Sequence, residues 1–497
     1  MKKNICKYLL KISLLVASLL FTTQISAEEL RWAADAESGA PYVFYDAKNP
    51  TQIIGFEYDL VQILAKKLNR NPRFVQNAWD GLVPGLDREE YDIAINGIEI
   101  TEDRKKVVLF SNPYYATNLQ LVVRQDELRF KNLSDLAGFK VGTLTGALSE
   151  KTLRAETGIE ILLYESEANA HQDLSLGRSD AVLFDAPIAK YYSEVDSRFK
   201  ILPTVIGSMT YGIAISKKNQ ELQKKLNSAL QQMIDSGELK EIYERWAIWN
   251  SPTAQLFNDT SPTRTPPAEF ENYKNNLNSN RGLAEKFKIY KKTFPILATA
   301  ALKTVQVSFC AMIVAIIGGL VLVGARLYGG SFLRTFVILF VELIRGTPLL
   351  LQLFFIFYAL PSLGVEFSPF WAAVLGLGIN YSVQESEIYR SGLLSVHQNQ
   401  IEAAKLLGLN SWQSFWSVQA PQAFRISLPP MTTDFIALIK DSSLVSVITM
   451  VELTKSYSTL ASTYYDYIGF AVIAAILYML IGLPLVLVSK KLEKSNK

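Results

Sequence analysis

The sequence predicts a multidomain protein: a two-lobed α/β domain followed by an all-α transmembrane domain of about five helices. Three observations carry that expectation. The chain has 497 residues, too many for one ordinary core. Its apolar content is 49%, and those residues concentrate after position 295. Before that point, strand-like and helix-like segments alternate, the pattern of α/β units.

Composition excludes several classes of chemistry. A net charge of +3 is close to balance and gives no reason to invoke nucleic acid. The two cysteines, Cys6 and Cys310, cannot build a disulfide framework or a thiolate metal site. The two histidines, His171 and His397, are too far apart in the chain to suggest a metal pair. Neither a GxxxxGK[ST] phosphate loop nor a nucleophile elbow occurs, so no ATP hydrolysis or catalysis is expected in this chain.

Residues 1–27 read as a signal peptide. Lys2, Lys3, Lys7 and Lys11 precede the apolar run from Ile12 to Phe21, and Ile25-Ser26-Ala27 suits cleavage. An uncleaved anchor is the alternative; on either reading the following residues are exported. Cys6 lies before the apolar run, too early for a lipoprotein cysteine.

Residues 28–249 are soluble in composition. Leu30-Arg31-Trp32-Ala33 begins a strand, and EYDLVQILAKKL (57–68) sets Leu60, Val61, Leu64 and Leu68 on one helical face. Further strands are expected at Ile93-Ala94-Ile95, Leu119 to Val123, Ala181-Val182-Leu183 and Tyr211 to Ile215. YDIAING (91–97) and SDAVLFDAP (179–187) are each an apolar strand emptying into a polar loop, as two lobes facing across a cleft would produce. Residues 250–294 hold Pro252, Pro262, Pro266 and Pro267 among Ser, Thr and Asn, a tether rather than a core. Its end, EKFKIYKKTF (285–294), mixes aromatics with lysines and reads equally as an interfacial helix or a solvated charge run.

The membrane spans follow. Thr304 to Ala325 and Tyr467 to Ser489 are uncharged and long enough, since about 20 residues cross the hydrocarbon. Three more spans, near 331–360, 367–390 and 427–450, carry Glu342, Arg345, Glu385, Glu387, Arg390, Asp434, Lys440 and Asp441. Charges inside a bundle are costly and often functional. Five spans that start outside end inside. The loops then cytoplasmic hold Arg326, Arg334, Lys405, Arg425 and the terminal lysines, against Lys455 outside. Residues 491–497 would form a short cytoplasmic tail. Between the third and fourth spans lies a polar insert, IEAAKLLGLNSWQSFWSVQAPQAFRISLPP (401–430). Ala403, Ala404, Leu406 and Leu407 crowd one side of a short helix, Gly408 suits a left-handed cap, and Ser411 is expected to N-cap a second helix at Trp412.

Glu402-Ala403-Ala404, Gly408 and Leu428-Pro429 resemble the EAA loop (395–430) of ABC-importer permeases. VELIRGTPLLLQLFF (341–355), SPFWAAVLGLGINY (368–381) and ALIKDSSLVSVITMVELT (437–454) look like the polar amino-acid branch of that family, a type I importer, over about 295–490. Over about 30–249, GFEYDLVQILAKKL, WDGLVPGL (79–86), Ile100-Thr101-Glu102-Asp103-Arg104 and FSNPYY (110–115) resemble the periplasmic amino-acid-binding proteins that serve such permeases. The resemblance implies a type II periplasmic binding fold. Its first lobe would be 28–121 plus 212–249, its second 125–206, with two crossover strands as hinge.

Such a chain would be the fused binding and permease subunit of a polar amino-acid ABC importer of the histidine, glutamate, glutamine and arginine group. It would sit in the bacterial inner membrane, with its binding domain on the external or periplasmic side. The implied partners are a free amino acid, a second copy of the chain through the permease domain, and a separate ATPase. That ATPase would hold the ATP and Mg and dock at Glu402, Ala403, Ala404 and Gly408; this chain itself needs no cofactor. An amino-acid-sensing receptor or a ligand-gated channel is the rival reading.

A free amino acid needs a cation for its carboxylate and an anion for its ammonium, and a guanidinium is the best carboxylate partner. By resemblance Arg104 is the carboxylate-binding residue and Asp185 the ammonium-binding one. Trp79 would cover the ligand side chain, Gly97 offer a backbone contact, and Asp35 meet the distal group. Three positions depart from the family pattern. Glu99 stands where a small hydroxyl residue is usual, Ala147 replaces another hydroxyl, and Ser38 or Gly39 falls where an aromatic is expected, leaving Tyr42 as its substitute. Glutamine is favoured as substrate, while Asp35 and Glu99 keep lysine or arginine open, and glutamate and histidine remain alternatives.

Overall fold

The computed structural model describes residues 28–37, 39–277, 282–448 and 450–495. The signal-peptide expectation for 1–27 and the last two residues of the tail lie outside them, as does Ser38.

The first lobe is built on a five-stranded sheet ordered Asn71–Gln76, Glu29–Ala34, Ile93–Ala94, Ala214–Ile215, Leu109–Phe110. Its first three strands are parallel, and Ala214–Ile215 returns antiparallel. Leu30, Trp32 and Ala34 alternate into the core, and the Trp32 ring lies 4.9 Å from that of Phe74 on the paired strand. The helix Phe56–Lys67 buries Leu60, Val61 and Leu64, each worth about 1.5–3 kcal/mol. Glu57 and Asp59 lie in its first turn and Lys66 and Lys67 in its last, complementing the helix dipole.

The second sheet runs Phe199–Tyr211, Tyr115–Arg124, Ala181–Asp185, Lys140–Leu144, Glu160–Tyr164. Phe199–Tyr211 and Tyr115–Arg124 are the crossover strands, and their antiparallel register slips twice, between Ile201 and Val205 and between Ile206 and Met209. Pro203, which has no N–H to give the ladder, explains the first slip, and Gly207, at φ 62°, the second.

The stretch 250–277 is more ordered than its prolines suggested. Asn250 caps the helix Ser251–Phe257, and both Asn250 and Thr253 donate to the Ala116 carbonyl of a crossover strand. On the helix Ala268–Leu277, Tyr273 packs against Phe44 of the first lobe and Tyr191 of the second. Aromatic side chains spaced through a polar segment hold it to both lobes.

Nine α-helical segments follow residue 282 among the described residues, more than the five expected. The surplus has local causes. The expected second span is broken into Ser331–Gly346 and Leu349–Phe354 with its π-helical extension to Ala359, bent by 107°. Pro348 stands at the break without an N–H, and Gln352 Nε2 repairs it by donating to the Ile344 carbonyl and to Thr347 Oγ1, each at 2.8 Å. The insert contributes Gln398–Leu406 and Ser411–Ser414, and a further helix, Leu453–Tyr464, precedes the last span. The lysine-rich stretch 285–294 is the start of one helix, Leu283–Tyr328.

Among the described residues, Leu283–Tyr328 and Tyr467–Lys491 are the helices long and apolar enough to cross a membrane, and the bent pair makes a third if it counts as one span. Pro369–Leu394 and Ala420–Asp441 carry the charges noted above, and some of these pair within the bundle. Glu387 bridges Arg326 and Arg390, and the Tyr381 hydroxyl donates to Asp441 at 2.7 Å.

The cleft side of the binding domain meets the outer end of the helical domain. Arg88 lies 4.7 Å over the Phe357 ring, the Tyr464 hydroxyl donates to the Ala47 carbonyl at 2.9 Å, and Lys455 ion-pairs with Glu37.

Candidate functional site

The cleft between the lobes gathers Asp35, Tyr42, Trp79, Gly97, Glu99 and Asp185 on one small cavity. Arg104 stands at its edge, on a helical turn, Glu102–Lys105, where the Arg104 N–H donates to the capping Thr101 hydroxyl. Its guanidinium lies 5.5 Å over the Trp79 ring, a cation–π distance, and also ion-pairs with Glu99. One of its nitrogens reaches the second lobe, donating to the Gly146 carbonyl at 3.1 Å.

Asp185 ends the strand Ala181–Asp185 on the opposite lobe and is buried. It accepts hydrogen bonds from the Tyr211 hydroxyl and, at 3.4 Å, from Tyr42. Burial raises its pKa, the nearby Glu99 charge adds to the rise, and the two tyrosines oppose it, leaving it at about 7. A bound ammonium needs the ionised carboxylate, so below that pKa the ligand must first displace a proton. Binding is therefore expected to weaken as pH falls, about tenfold from pH 8 to pH 6 for one such group. Calorimetric titrations across that range check it, and a pH-independent affinity would separate Asp185 from the ammonium.

Gly97, at φ 63°, adopts the left-handed conformation that other residues resist. A Cβ there would lie 3.0 Å from the Tyr42 ring. Its N–H donates to Glu57 at 2.7 Å, a buried carboxyl pushed up to about 8 by desolvation against the opposing hydrogen bonds of Tyr114 and Gly97. Tyr42 is packed edge-on against Tyr211 and hydrogen-bonded to it at 2.8 Å. Asp35 follows the first strand, and its carboxylate accepts from Gln76, from the Glu37 N–H and from the Trp79 N–H.

Sequence reasoning did not single out Glu165, Glu167 or Tyr211. Glu165, in the loop after the strand Glu160–Tyr164, and Glu167, the first residue of the helix Glu167–Ser175, line the same cavity. The signal was the one applied to Asp185, a strand emptying into a polar loop, left unused at YESEANA. With them, five carboxylates line the cavity, and no lysine or arginine does so among the described residues.

On the other side of the membrane domain, the helix Gln398–Leu406 exposes Glu402 and Ala403 and buries Ala404. Gly408 takes the left-handed cap at φ 84°, and the Leu409 N–H closes on the Ala404 carbonyl at 3.1 Å. The second helix starts one residue earlier than expected. Asn410, not Ser411, caps it, in a reciprocal box with Gln413. Leu406 and Leu407 are 90% and 83% exposed, and Trp412 stands beside them at 70%, a bare apolar knob.

A hinged α/β cleft with a cation on one lobe and an anion on the other, joined to a helical membrane domain, defines a solute-binding protein fused to a membrane transport component. The family described as "Bacterial extracellular solute-binding proteins, family 3" matches residues 30–248, and "Binding-protein-dependent transport system inner membrane component" matches 300–497. The permease half is 36% identical over 207 residues to the L-cystine transport system permease protein TcyB of Bacillus subtilis (strain 168), covering 41% of this chain and 88% of that one. The binding half is 32% identical over 198 residues to the L-cystine-binding protein TcyJ of Escherichia coli (strain K12), covering 39% and 74%. It is 30% identical over 236 residues to the arginine-binding periplasmic protein of Mannheimia haemolytica, covering 46% and 96%. The chain belongs to the amino-acid ABC importers, as a binding protein and permease in one polypeptide. It is an inner-membrane transporter component, not an enzyme, with a periplasmic-type binding domain.

Proposed function

We propose that this chain imports a cationic amino acid, arginine or lysine, as a homodimer driven by two copies of a separate ATPase that supplies ATP and Mg. The observation that carries the substrate class is the acidic cleft: Asp35, Glu99, Glu165, Glu167 and Asp185 line it, against Arg104 at its edge and Lys455 in the adjoining cavity. Arg104 takes the α-carboxylate and Asp185 the α-ammonium. Asp35, with Glu165 and Glu167 of the second lobe, lines the part of the cavity into which a positively charged side chain would extend. Glutamine, favoured from sequence, needs none of that acidity. Similarity to the arginine-binding protein of Mannheimia haemolytica supports the same class.

Because Arg104 and Asp185 belong to different lobes, a ligand bridging them favours closure. Beyond the cleft lies a cavity of about 350 Å3 shared with the membrane domain, where Trp79, Asp80 and Glu165 face Phe354, Val447 and Lys455. A ligand released from the cleft would pass through it. Lys455 is one of the membrane domain's contacts with the cleft rim, its pair with Glu37 being 14% and 10% exposed. Lys455→Ala leaves Glu37 a buried carboxylate without its cation and is expected to slow ATP-driven uptake by at least about tenfold. Arginine affinity should not fall, since the change removes a cation facing Asp35 and Glu165, and Lys455→Arg should restore uptake; calorimetry and initial rates in proteoliposomes check this.

The substrate class is tested by thermal shift of the full-length chain in detergent against the twenty amino acids and cystine. A ligand that binds only the folded protein raises its melting temperature with concentration. Arginine or lysine should give the largest shift; glutamine or cystine in that place would overturn the cationic reading.

A further inference from the structure

Glu99 brings a carboxylate of its own to the place where a substrate carboxylate is to be recognised. Its Oε2 ion-pairs with Arg104 of the first lobe. Its Oε1 accepts the Leu148 N–H at 2.8 Å, and Leu148 opens the helix Leu148–Ala155 of the second lobe. One side chain thus answers donors from both walls of the cleft. Glu99 is 2% exposed, so water screens these contacts little. A carboxylate held between a guanidinium and a helix N-terminal N–H has favourable charge on both sides. That is the arrangement the α-carboxylate of an amino acid would make on closing the lobes.

We propose that Glu99 is a tethered counter-ligand: it occupies the subsite of the substrate's α-carboxylate, draws the lobes together, and is expelled when an amino acid binds. The inference rests on the amino-acid reading above and adds a role that opposes ligand binding. It accounts for an anion at a position where a small hydroxyl would help hold the substrate. Each binding event exchanges one carboxylate for another on Arg104, so net affinity falls. The same exchange in reverse speeds release: when the ligand leaves toward the membrane domain, Glu99 returns to Arg104 and the Leu148 N–H and blocks recapture. Asp185, whose carboxylate feels the Glu99 charge, ionises more readily once Glu99 swings away.

The test uses the full-length chain in detergent. Glu99→Ser is expected to tighten arginine binding about tenfold, equal to ~1.4 kcal/mol, by calorimetry. Glu99→Gln, which keeps the volume and removes the charge, should shift it in the same direction. A second readout needs no ligand. With Cys6 and Cys310 replaced by serine, spin labels at Lys224→Cys on the first lobe and Glu156→Cys on the second report lobe separation. The ligand-free parent should give a short, narrow distance distribution, and the Glu99→Ser form a longer, broader one. Weaker binding in both variants would overturn the proposal and assign Glu99 to the ligand's ammonium. An unchanged distance distribution in Glu99→Ser would overturn it as well. If arginine binds neither form, the substrate reading fails, and the distance measurement alone decides the role of Glu99.

Discussion

Arg104→Ala is expected to weaken amino-acid binding by roughly 100- to 1000-fold, since truncating one partner of a desolvated charge pair costs about 3–4 kcal/mol. Two losses combine. The ligand carboxylate would keep only neutral donors such as the Leu148 N–H, and Glu99 would lose its ion-pair partner and stand as an uncompensated anion beside the cleft. The cover of the Arg104 guanidinium over Trp79 would go as well, loosening that wall. Arg104→Lys should recover only part of the affinity, because an ammonium cannot span Glu99 and the Gly146 carbonyl with one planar fork. Titration calorimetry on the full-length variants gives the comparison. An Arg104→Ala form that binds within about threefold of the parent, well under 1 kcal/mol, would place the carboxylate elsewhere.

The second large effect is expected at the far end of the molecule. Leu406→Asp with Leu407→Asp puts two charges on the exposed knob and touches nothing in the cleft. An apolar anchor in a docking groove is commonly worth about 2 kcal/mol or more, so losing two should weaken the ATPase contact by at least roughly 100-fold. ATP-driven uptake should fall to background while ligand affinity stays at the parent value. Co-purification with the ATPase and binding measured on the same preparation separate the two. Full uptake by the double variant would remove the knob from the coupling path.

Much of this arrangement was legible in the residues, and the exceptions have physical causes. Periodicity read the helix Phe56–Lys67 and the inner strands, because each buries one face or lies wholly inside the first-domain core. Gly408 was legible because only a left-handed residue could end that helix so abruptly. The cap after it was misjudged by one residue: Asn410 and Ser411 are both good caps, and Gln413 decides between them by answering Asn410. The broken second span was hidden because Gly346-Thr347-Pro348 sits in an otherwise continuous apolar run, and hydropathy does not register a bend. The hold of 250–277 on both lobes depends on where Phe44 and Tyr191 meet in space.

The cleft divides in the same way. Arg104, Asp185, Trp79 and Gly97 could be matched because the motifs around them resemble those of the amino-acid-binding family. The partners of Glu99 could not be read from the chain, since Leu148 is 49 positions away and on the other lobe. Glu165 and Glu167 escaped notice because acidic residues just after a strand are ordinarily solvated, and the sheet order is what brings this strand end to the cleft mouth.

The measurement closest to the central claim is uptake by proteoliposomes holding the purified chain and its ATPase, with ATP on the knob side and radiolabelled arginine or lysine on the side of the binding domain. ATP-dependent accumulation against a gradient, lost when either the ATPase or ATP is left out, is the predicted result. Ligand binding without accumulation, or accumulation that persists without the ATPase, would contradict it.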